Sequence, residues 1–155
     1  MNLNDISYDT GSGTLVWRTT KGRAIKGEKV GWLSKHGYIE AQVQGKRFKA
    51  HHLVWYIHHG YFPKQLDHID GDRTNNKIEN LRECTTVENA RNRKKKNNRA
   101  LPRNVYHTKT KGKYRVYLTI EGKQISFGTF SDLRLADSVA KQARELYYGA
   151  FAGNG

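Results

Sequence analysis

Apolar and polar residues alternate most regularly between positions 114 and 120 of the chain. A period of two residues predicts a β-strand with one buried and one exposed face. Residues 121–123 have the composition of a turn, and residues 124–127 continue the alternation into a second strand. A weaker strand is expected at residues 104–108. The segment therefore predicts a three-stranded antiparallel sheet, whose apolar face carries Tyr114, Val116, Leu118 and Ile120.

After this sheet, the apolar residues recur with the period of a helix. Ser131 is expected to cap the helix at its N-terminus, and Gly149 is expected to end it. One apolar stripe predicts the side that packs on the sheet, and it consists of Ala136, Val139, Ala140, Ala143, Leu146 and Tyr147.

The N-terminal part of the chain mixes short strands with one helix. Residues 15–17 and 30–33 have the composition of short strands, and residues 38–50 predict a hairpin around a Gly45-Lys46 turn. Residues 51–59 predict a helix that stops at Gly60. Its four histidines (His51, His52, His58 and His59) are expected to serve packing or DNA contact rather than metal binding, because no carboxylate accompanies them.

Charge narrows the class of partner. The 155 residues include 28 Lys and Arg against 14 Asp and Glu, which gives a formal net charge of +14 and favours a polyanion such as nucleic acid. The longest apolar run has five residues (53–57), too few to span a membrane. Cys84 has no second cysteine with which to form an internal disulfide or a paired-thiolate zinc site. No signal peptide is expected, and we expect an intracellular protein, in a host cytoplasm if a phage encodes it.

The positive charge is concentrated in the middle of the chain. Residues 89–101 carry six basic and no acidic side chains. A run of this kind can be a disordered tail or a targeting signal. Because it joins two patterned segments, we expect a basic linker that lies on a DNA backbone. The DNA contacts expected here are Arg91, Arg93, Lys94, Lys95 and Lys96, with simple solvation left open for Arg91 and Arg93.

The residues with the most informative chemistry lie between positions 66 and 92. Asp67 and His68 end a short apolar strand, a polar loop leads to a second strand near Leu81, and a helix begins near Thr86, whose hydroxyl is expected to cap it. A β-hairpin crossed by a helix could bring Asp67, His68 and Asn89 to one small site. Histidine suits a general base near neutral pH. Asp67 and Asn89 offer hard oxygen ligands that suit Mg²⁺ or Mn²⁺.

This stretch resembles the HNH, or ββα-metal, nuclease motif in the form carried by phage and intron-encoded homing endonucleases. The resemblance rests on Asp-His-x-Asp-Gly at 67–71, Asn75-Asn76, Asn80-Leu81-Arg82 and Glu88-Asn89, with Asn80 twelve and Asn89 twenty-one residues after the histidine. It implies that His68 is the general base and that Asp67 and Asn89 bind the metal. Asn80 would tie the motif loop and help to orient His68.

Residues 104–155 resemble a second family, the Apetala or ethylene-response-factor type of DNA-binding domain. The resemblance rests on Val105-Tyr106, Gly112-Lys113-Tyr114-Arg115, Gly128-Thr129-Phe130 and the Ala-rich helix that ends at Gly149. It implies a three-stranded sheet that lies in the major groove of DNA. The face left open by the helix would contact DNA through Arg115, Tyr117, Thr119, Gln124 and Ser126.

Together these features predict an α+β protein. A ββα-metal nuclease domain with N-terminal strands and a helix (1–98, motif 66–92) is expected, then a basic linker (92–103) and an Apetala-like domain (104–155). The predicted function is a Mg²⁺- or Mn²⁺-dependent homing endonuclease that cuts double-stranded DNA to 5′-phosphate and 3′-hydroxyl ends. No membrane or obligate small-molecule ligand is expected, and a monomer is expected with a dimer left open. A non-catalytic sequence-specific DNA-binding regulator is the alternative, and an RNA-binding protein of the ribosomal type is a third.

Overall fold

The structure is a computed structural model that describes residues 3–92 and 101–153. The chain divides into two compact units, Met1–Thr86 and Val87–Gly155. Both contain helices and small antiparallel sheets, so the mixed helix and sheet content predicted from the sequence is confirmed. None of the helices in the described part of the chain is long and apolar enough to cross a membrane.

The first unit is built from three small antiparallel sheets and one helix. In chain order its elements are β1 (Ile6–Asp9), β2 (Thr14–Trp17), β3 (Trp32–Leu33), β4 (Ile39–Val43), β5 (Lys46–Lys49), α1 (Ala50–His59), β6 (Leu66–His68), a 3₁₀ turn (Ile78–Asn80) and β7 (Leu81–Glu83). Strand β1 pairs with β2, β6 pairs with β7, and a third sheet has the order β3-β4-β5.

The hairpin and helix before the motif form where they were predicted, with one correction. Gln44 and Gly45 make the β4–β5 turn with φ angles of 52° and 75°, so the turn lies one residue before the Gly45-Lys46 position that was expected. Positive φ at both positions is the geometry of a tight hairpin turn. Helix α1 ends as predicted at Gly60, whose φ of 79° lets its N–H reach the carbonyl of Tyr56.

One apolar core holds the first unit together, and it includes the motif hairpin. Leu66 of β6 and Leu81 of β7 are buried in the same cluster as Leu53 and Val54 of α1. Ile6, Leu15 and Val30 also belong to this core, although only Leu15 and Val30 lie in segments that were predicted as strands, and β3 begins at Trp32, so Val30 lies outside it. The hairpin that carries Asp67 and His68 is therefore packed against the hydrophobic core of the first unit.

The second unit is a three-stranded sheet covered on one face by a helix. Its elements are β8 (Val105–His107), β9 (Tyr114–Ile120), β10 (Lys123–Phe130), α3 (Leu133–Tyr148) and a 3₁₀ turn at Gly149–Phe151. Strand β9 lies in the middle, and its residues Val116 and Leu118 are buried, as the alternation predicted. A further helix, α2 (Thr86–Asn92), begins at the last residue of the first unit.

Two details of helix α3 correct the sequence analysis. The N-terminal cap is Asp132 and not Ser131, because the Asp132 carboxylate accepts hydrogen bonds from the backbone N–H groups of Arg134 and Leu135. The apolar stripe does not extend to Leu146, which is 77% exposed. Long amphipathic side chains complete the buried face instead: Arg144 donates to the Arg103 carbonyl, and Tyr148 donates to the Thr119 carbonyl.

Candidate active site

Strands β6 and β7 fix the positions of Asp67 and His68. In the antiparallel register Asp67 lies opposite Arg82, and His68 lies opposite Leu81. Neighbouring residues of a strand point to opposite faces, so Leu66 packs in the core while Asp67 takes the other side. Both Asp67 (6% exposed) and His68 (5% exposed) are nevertheless buried.

The loop between the two strands is closed by side-chain hydrogen bonds. Asn80 accepts from the Asp70 N–H at 3.0 Å and donates to the Asp70 carboxylate at 3.0 Å and to the Asn75 carbonyl at 2.8 Å. The Asp70 carboxylate also accepts from the Asn75 side chain and from the Asp72 N–H, both at 2.7 Å. Burial opposes ionisation of Asp70, but these hydrogen bonds outweigh it and lower its pKa. The Asp70 carboxylate therefore stabilises the turn between the two strands.

The imidazole of His68 is held by a buried amide. Nε2 of His68 lies 3.0 Å from Oδ1 of Asn76, and Asn76 is 5% exposed. An amide oxygen can only accept, so this hydrogen bond requires the proton on Nε2. The ring lone pair is then on Nδ1, which is the nitrogen able to take a proton. The hydrogen bond fixes the tautomer of a base as well as the orientation of its ring.

Aromatic rings surround the same imidazole. His51 meets the His68 ring edge to face, with ring centroids 4.8 Å apart and an interplanar angle of 85°, and the Tyr38 ring lies 6.2 Å from it. Burial above all, followed by the charges of His68, His52 and Lys49, lowers the pKa of His51 to about 2. His51 is therefore a neutral packing partner, which agrees with the packing role expected for this histidine.

Asp67 is held by a cation on the neighbouring strand. Its Oδ2 accepts from Nη2 of Arg82 at 2.8 Å and from Nε at 3.1 Å. Both side chains are largely buried, with exposures of 8% for Asp67 and 15% for Arg82. A buried carboxylate keeps its charge only when a partner compensates it. Arg82 thus fixes the orientation of the Asp67 carboxylate, on the residue that precedes His68 in the strand.

The remaining motif residues lie on helix α2. Asn89 is half-buried in the second unit. The expected cap at Thr86 is wrong, because Thr86 is already the first helical residue and its hydroxyl donates to the side-chain oxygen of Gln65 at 3.1 Å. The convergence of Asn89 with Asp67 and His68 stays a prediction. Among residues 3–92 and 101–153, no group of three or more His, Cys, Asp or Glu side chains is arranged to hold a metal.

The predicted DNA contacts fall in three places. The guanidinium of Arg91 lies over the Tyr148 ring, 4.6 Å from its centre. Arg93, Lys94, Lys95 and Lys96 lie outside the described residues. The open face of the second sheet is formed by cross-strand pairs of β9 and β10 that comprise Tyr117 opposite Ser126, Thr119 opposite Gln124, and Arg115 opposite Thr129.

Three residues at this site were not assigned a role at the histidine from the sequence. Asn76 was named only as part of the motif, Tyr38 was placed at the start of the predicted hairpin, and His51 was expected only to pack or touch DNA. The two adjacent amides of the motif loop were a visible signal, although the sequence does not tell which of them holds the histidine. Tyr38 gave none, because it lies 30 residues before His68 in the chain.

The comparison with known families agrees with the location of this site. A family model described as HNH endonuclease matches residues 48–91. The matched stretch runs from the end of β5 through α1 and the β6–β7 hairpin into α2. Neither a curated protein nor a solved structure matches the chain. The family match supports a nuclease acting on DNA, and it does not extend to the second sheet.

Proposed function

We propose that this protein is a divalent-metal-dependent DNA endonuclease of the HNH homing type, in which His68 is the general base. The observation that carries the proposal is the buried hydrogen bond between His68 Nε2 and Asn76 Oδ1, which orients the imidazole and places its proton on Nε2. This arrangement lies within the stretch that matches the HNH endonuclease family.

The donors assigned to the metal fit a hard cation. Asp67 is a buried carboxylate oriented by Arg82, and Asn89 supplies an amide oxygen. Mg²⁺ and Mn²⁺ accept oxygen ligands of this kind and fill their remaining positions with water and phosphate oxygens. When bound, such a cation stabilises negative charge on the phosphate and on the leaving oxygen.

The chain's own residues supply the base and its positioning. Nδ1 of His68 accepts a proton from the attacking water, while Asn76 holds the opposite side of the ring. Water oxygen then bonds to phosphorus, and the bond from phosphorus to the 3′ oxygen breaks. The 3′ oxygen takes up a proton from solvent water, which leaves a 5′-phosphate and a 3′-hydroxyl. Asn80 acts indirectly, because it keeps the loop on which Asn76 sits closed against β6.

The second unit is proposed to select the DNA site. Helix α3 packs against Val116 and Leu118, so the other face of the sheet presents side chains that can hydrogen-bond. Tyr117 on this face stacks on Tyr106 with ring centres 4.1 Å apart. A two- or three-stranded sheet fits the major groove, where base edges carry the sequence information. The resemblance to the Apetala type supports the same role.

Plasmid cleavage tests the proposal. The full-length chain is incubated with supercoiled plasmid in Mg²⁺, in Mn²⁺ and in excess chelator. We expect cleavage only with the metals, and open circles that appear before linear DNA if one strand is cut at a time. Binding to DNA without any cleavage in either metal would favour the non-catalytic regulator instead.

A further inference from the structure

Two cationic side chains converge on the ring of Tyr38, next to the candidate base. The Lys49 Nζ lies 4.3 Å from the centre of this ring, and the Arg73 guanidinium lies 4.8 Å from it. Lys49 is the last residue of β5, and Arg73 belongs to the motif loop. The tertiary fold therefore brings three separate segments together at one point.

Arg73 is held in place by more than the ring. Its Nη1 donates to the His36 carbonyl at 2.9 Å, across from the motif loop. An exposed arginine ordinarily keeps much of its rotamer freedom, which a bound ligand must then remove. A guanidinium that is already fixed by a carbonyl and an aromatic ring loses less conformational entropy when it binds a ligand.

The positive charge of this pair is not neutralised by an ion pair within the described residues. Salt bridges in the described part of the chain join Arg47 to Glu40, Arg82 to Asp67 and Lys141 to Asp137, and none of these involves Lys49 or Arg73. Glu40, which lies opposite Lys49 in the sheet, is the partner of Arg47. The Asp72 carboxylate in the motif loop accepts from the N–H and hydroxyl of Thr74.

The aromatic ring that Lys49 and Arg73 contact lies close to His68 and His51. The Tyr38 ring is 6.2 Å from the His68 ring and 5.4 Å from the His51 ring. Burial lowers the pKa of His52, and the charge of Lys49 lowers it further, so the field of Lys49 extends over the neighbouring imidazoles. An anion drawn to Lys49 and Arg73 would arrive beside the base.

We infer that Lys49 and Arg73 form a phosphate clamp, with Tyr38 as its support, that binds a backbone phosphate next to the one that is cut. This inference rests on the proposed nuclease function. Lysine and arginine are the side chains that contact DNA phosphates most directly, and such contacts fix the register of the protein on the duplex. The clamp would place the scissile phosphate within reach of His68.

The test neutralises one phosphate at a time. Duplexes with a single cleavage site carry a methylphosphonate at successive positions that flank the cut. Cleavage by the full-length wild type, Lys49→Ala, Arg73→Ala and Lys46→Ala is compared. Lys46 is the matched control, because it is exposed on the same strand and three residues away, hence on its opposite face.

We expect one flanking methylphosphonate to lower wild-type kcat/KM by roughly 10- to 100-fold, the range for loss of a charged hydrogen bond. On unmodified DNA, Lys49→Ala and Arg73→Ala should each have a kcat/KM that is lower by a similar factor. A methylphosphonate at that position should then cause no further decrease in their kcat/KM. Lys46→Ala should remain as sensitive as the wild type. Equal sensitivity of all four proteins at every position would overturn the clamp.

A separate readout distinguishes this inference from the nuclease proposal. Binding of the same duplexes is measured in chelator, where no cleavage is expected. If the wild type binds but never cuts in metal, the nuclease proposal fails while binding still tests the clamp. Circular dichroism checks that Arg73→Ala is folded, and Lys49→Ala provides a variant that removes no described hydrogen bond. If Lys49→Ala and Lys46→Ala bind every duplex alike, the clamp is wrong.

Discussion

The ion pair between Asp67 and Arg82 gives the sharpest prediction about stability. In Arg82→Met the Asp67 carboxylate, which is 8% exposed as a side chain, would lose two hydrogen bonds from a cation, at 2.8 and 3.1 Å. Removal of one partner from a buried pair typically costs about 3–5 kcal/mol, because the other charge is left without compensation. For a unit of this size, that corresponds to a melting temperature lower by more than about 10 °C.

Tryptophan fluorescence during urea unfolding measures the decrease in the free energy of unfolding of the first unit. Trp17, Trp32 and Trp55 all lie in the first unit, so their emission does not report on the second. The control is Arg47→Met, which makes the same substitution in an exposed pair. Arg47 is 71% exposed and lies 3.6 Å from Glu40, so its loss should cost at most about 1 kcal/mol.

A double variant tests the physical reason for the loss. In Asp67→Leu with Arg82→Met, two apolar residues replace the pair, and no buried charge remains. We expect this protein to recover most of the free energy of unfolding that Arg82→Met lost, although it should not cut DNA. The reasoning is refuted if Arg82→Met costs no more than Arg47→Met, or if the double variant is less stable than Arg82→Met alone.

Three further predictions concern metal, acid and site selection. Asn89→Ala should raise the Mg²⁺ concentration needed for half-maximal cleavage and leave DNA affinity in chelator unchanged, since only two protein ligands are proposed. Asp67→Ala should do the same at a temperature at which it stays folded, because it also breaks the pair with Arg82. Burial lowers the pKa of His51 from 6.5 to about 2, so below pH 6.5 the unfolded chain takes up a proton that the folded one does not. Acidification from pH 7 to pH 5.5 should therefore cost about 1.3 kcal/mol at this residue, and His51→Leu should remove that part of the acid sensitivity in urea titrations. Arg115→Ala with Gln124→Ala should relax cleavage-site choice on a long duplex while the cutting rate at a preferred site falls little, because base-edge contacts select and phosphate contacts bind.

Local patterns were sufficient for the parts of the fold that depend on local physics. The strand Tyr114–Ile120 has the bounds that its alternation predicts, and α1 ends at Gly60 because a left-handed φ suits glycine. The resemblance to the HNH motif implied that Asn80 ties the motif loop, and Asn80 does hydrogen-bond there to the Asp70 N–H and the Asn75 carbonyl. These signals lie within a few residues or within one hairpin.

Contacts between distant segments could not be predicted from the same patterns. Nothing in the sequence distinguishes Asn75 from Asn76, yet Asn75 donates to Asp70 and Asn76 holds His68. Tyr38 meets Arg73 and Lys49 only because the β4–β5 hairpin and the motif loop pack on one core. At α3, a polar residue such as Arg144 could be buried because a carbonyl accepts from it, which an apolar stripe does not reveal.

Cleavage by His68→Ala tests the central claim most directly. Wild type and His68→Ala are incubated with supercoiled plasmid under the same Mg²⁺ conditions, and DNA affinity is measured in parallel in chelator. Loss of a general base should slow cleavage by roughly 10²–10⁴-fold, while affinity stays nearly unchanged because it comes mainly from phosphate contacts elsewhere. Cleavage by His68→Ala at the wild-type rate would remove this histidine from the mechanism.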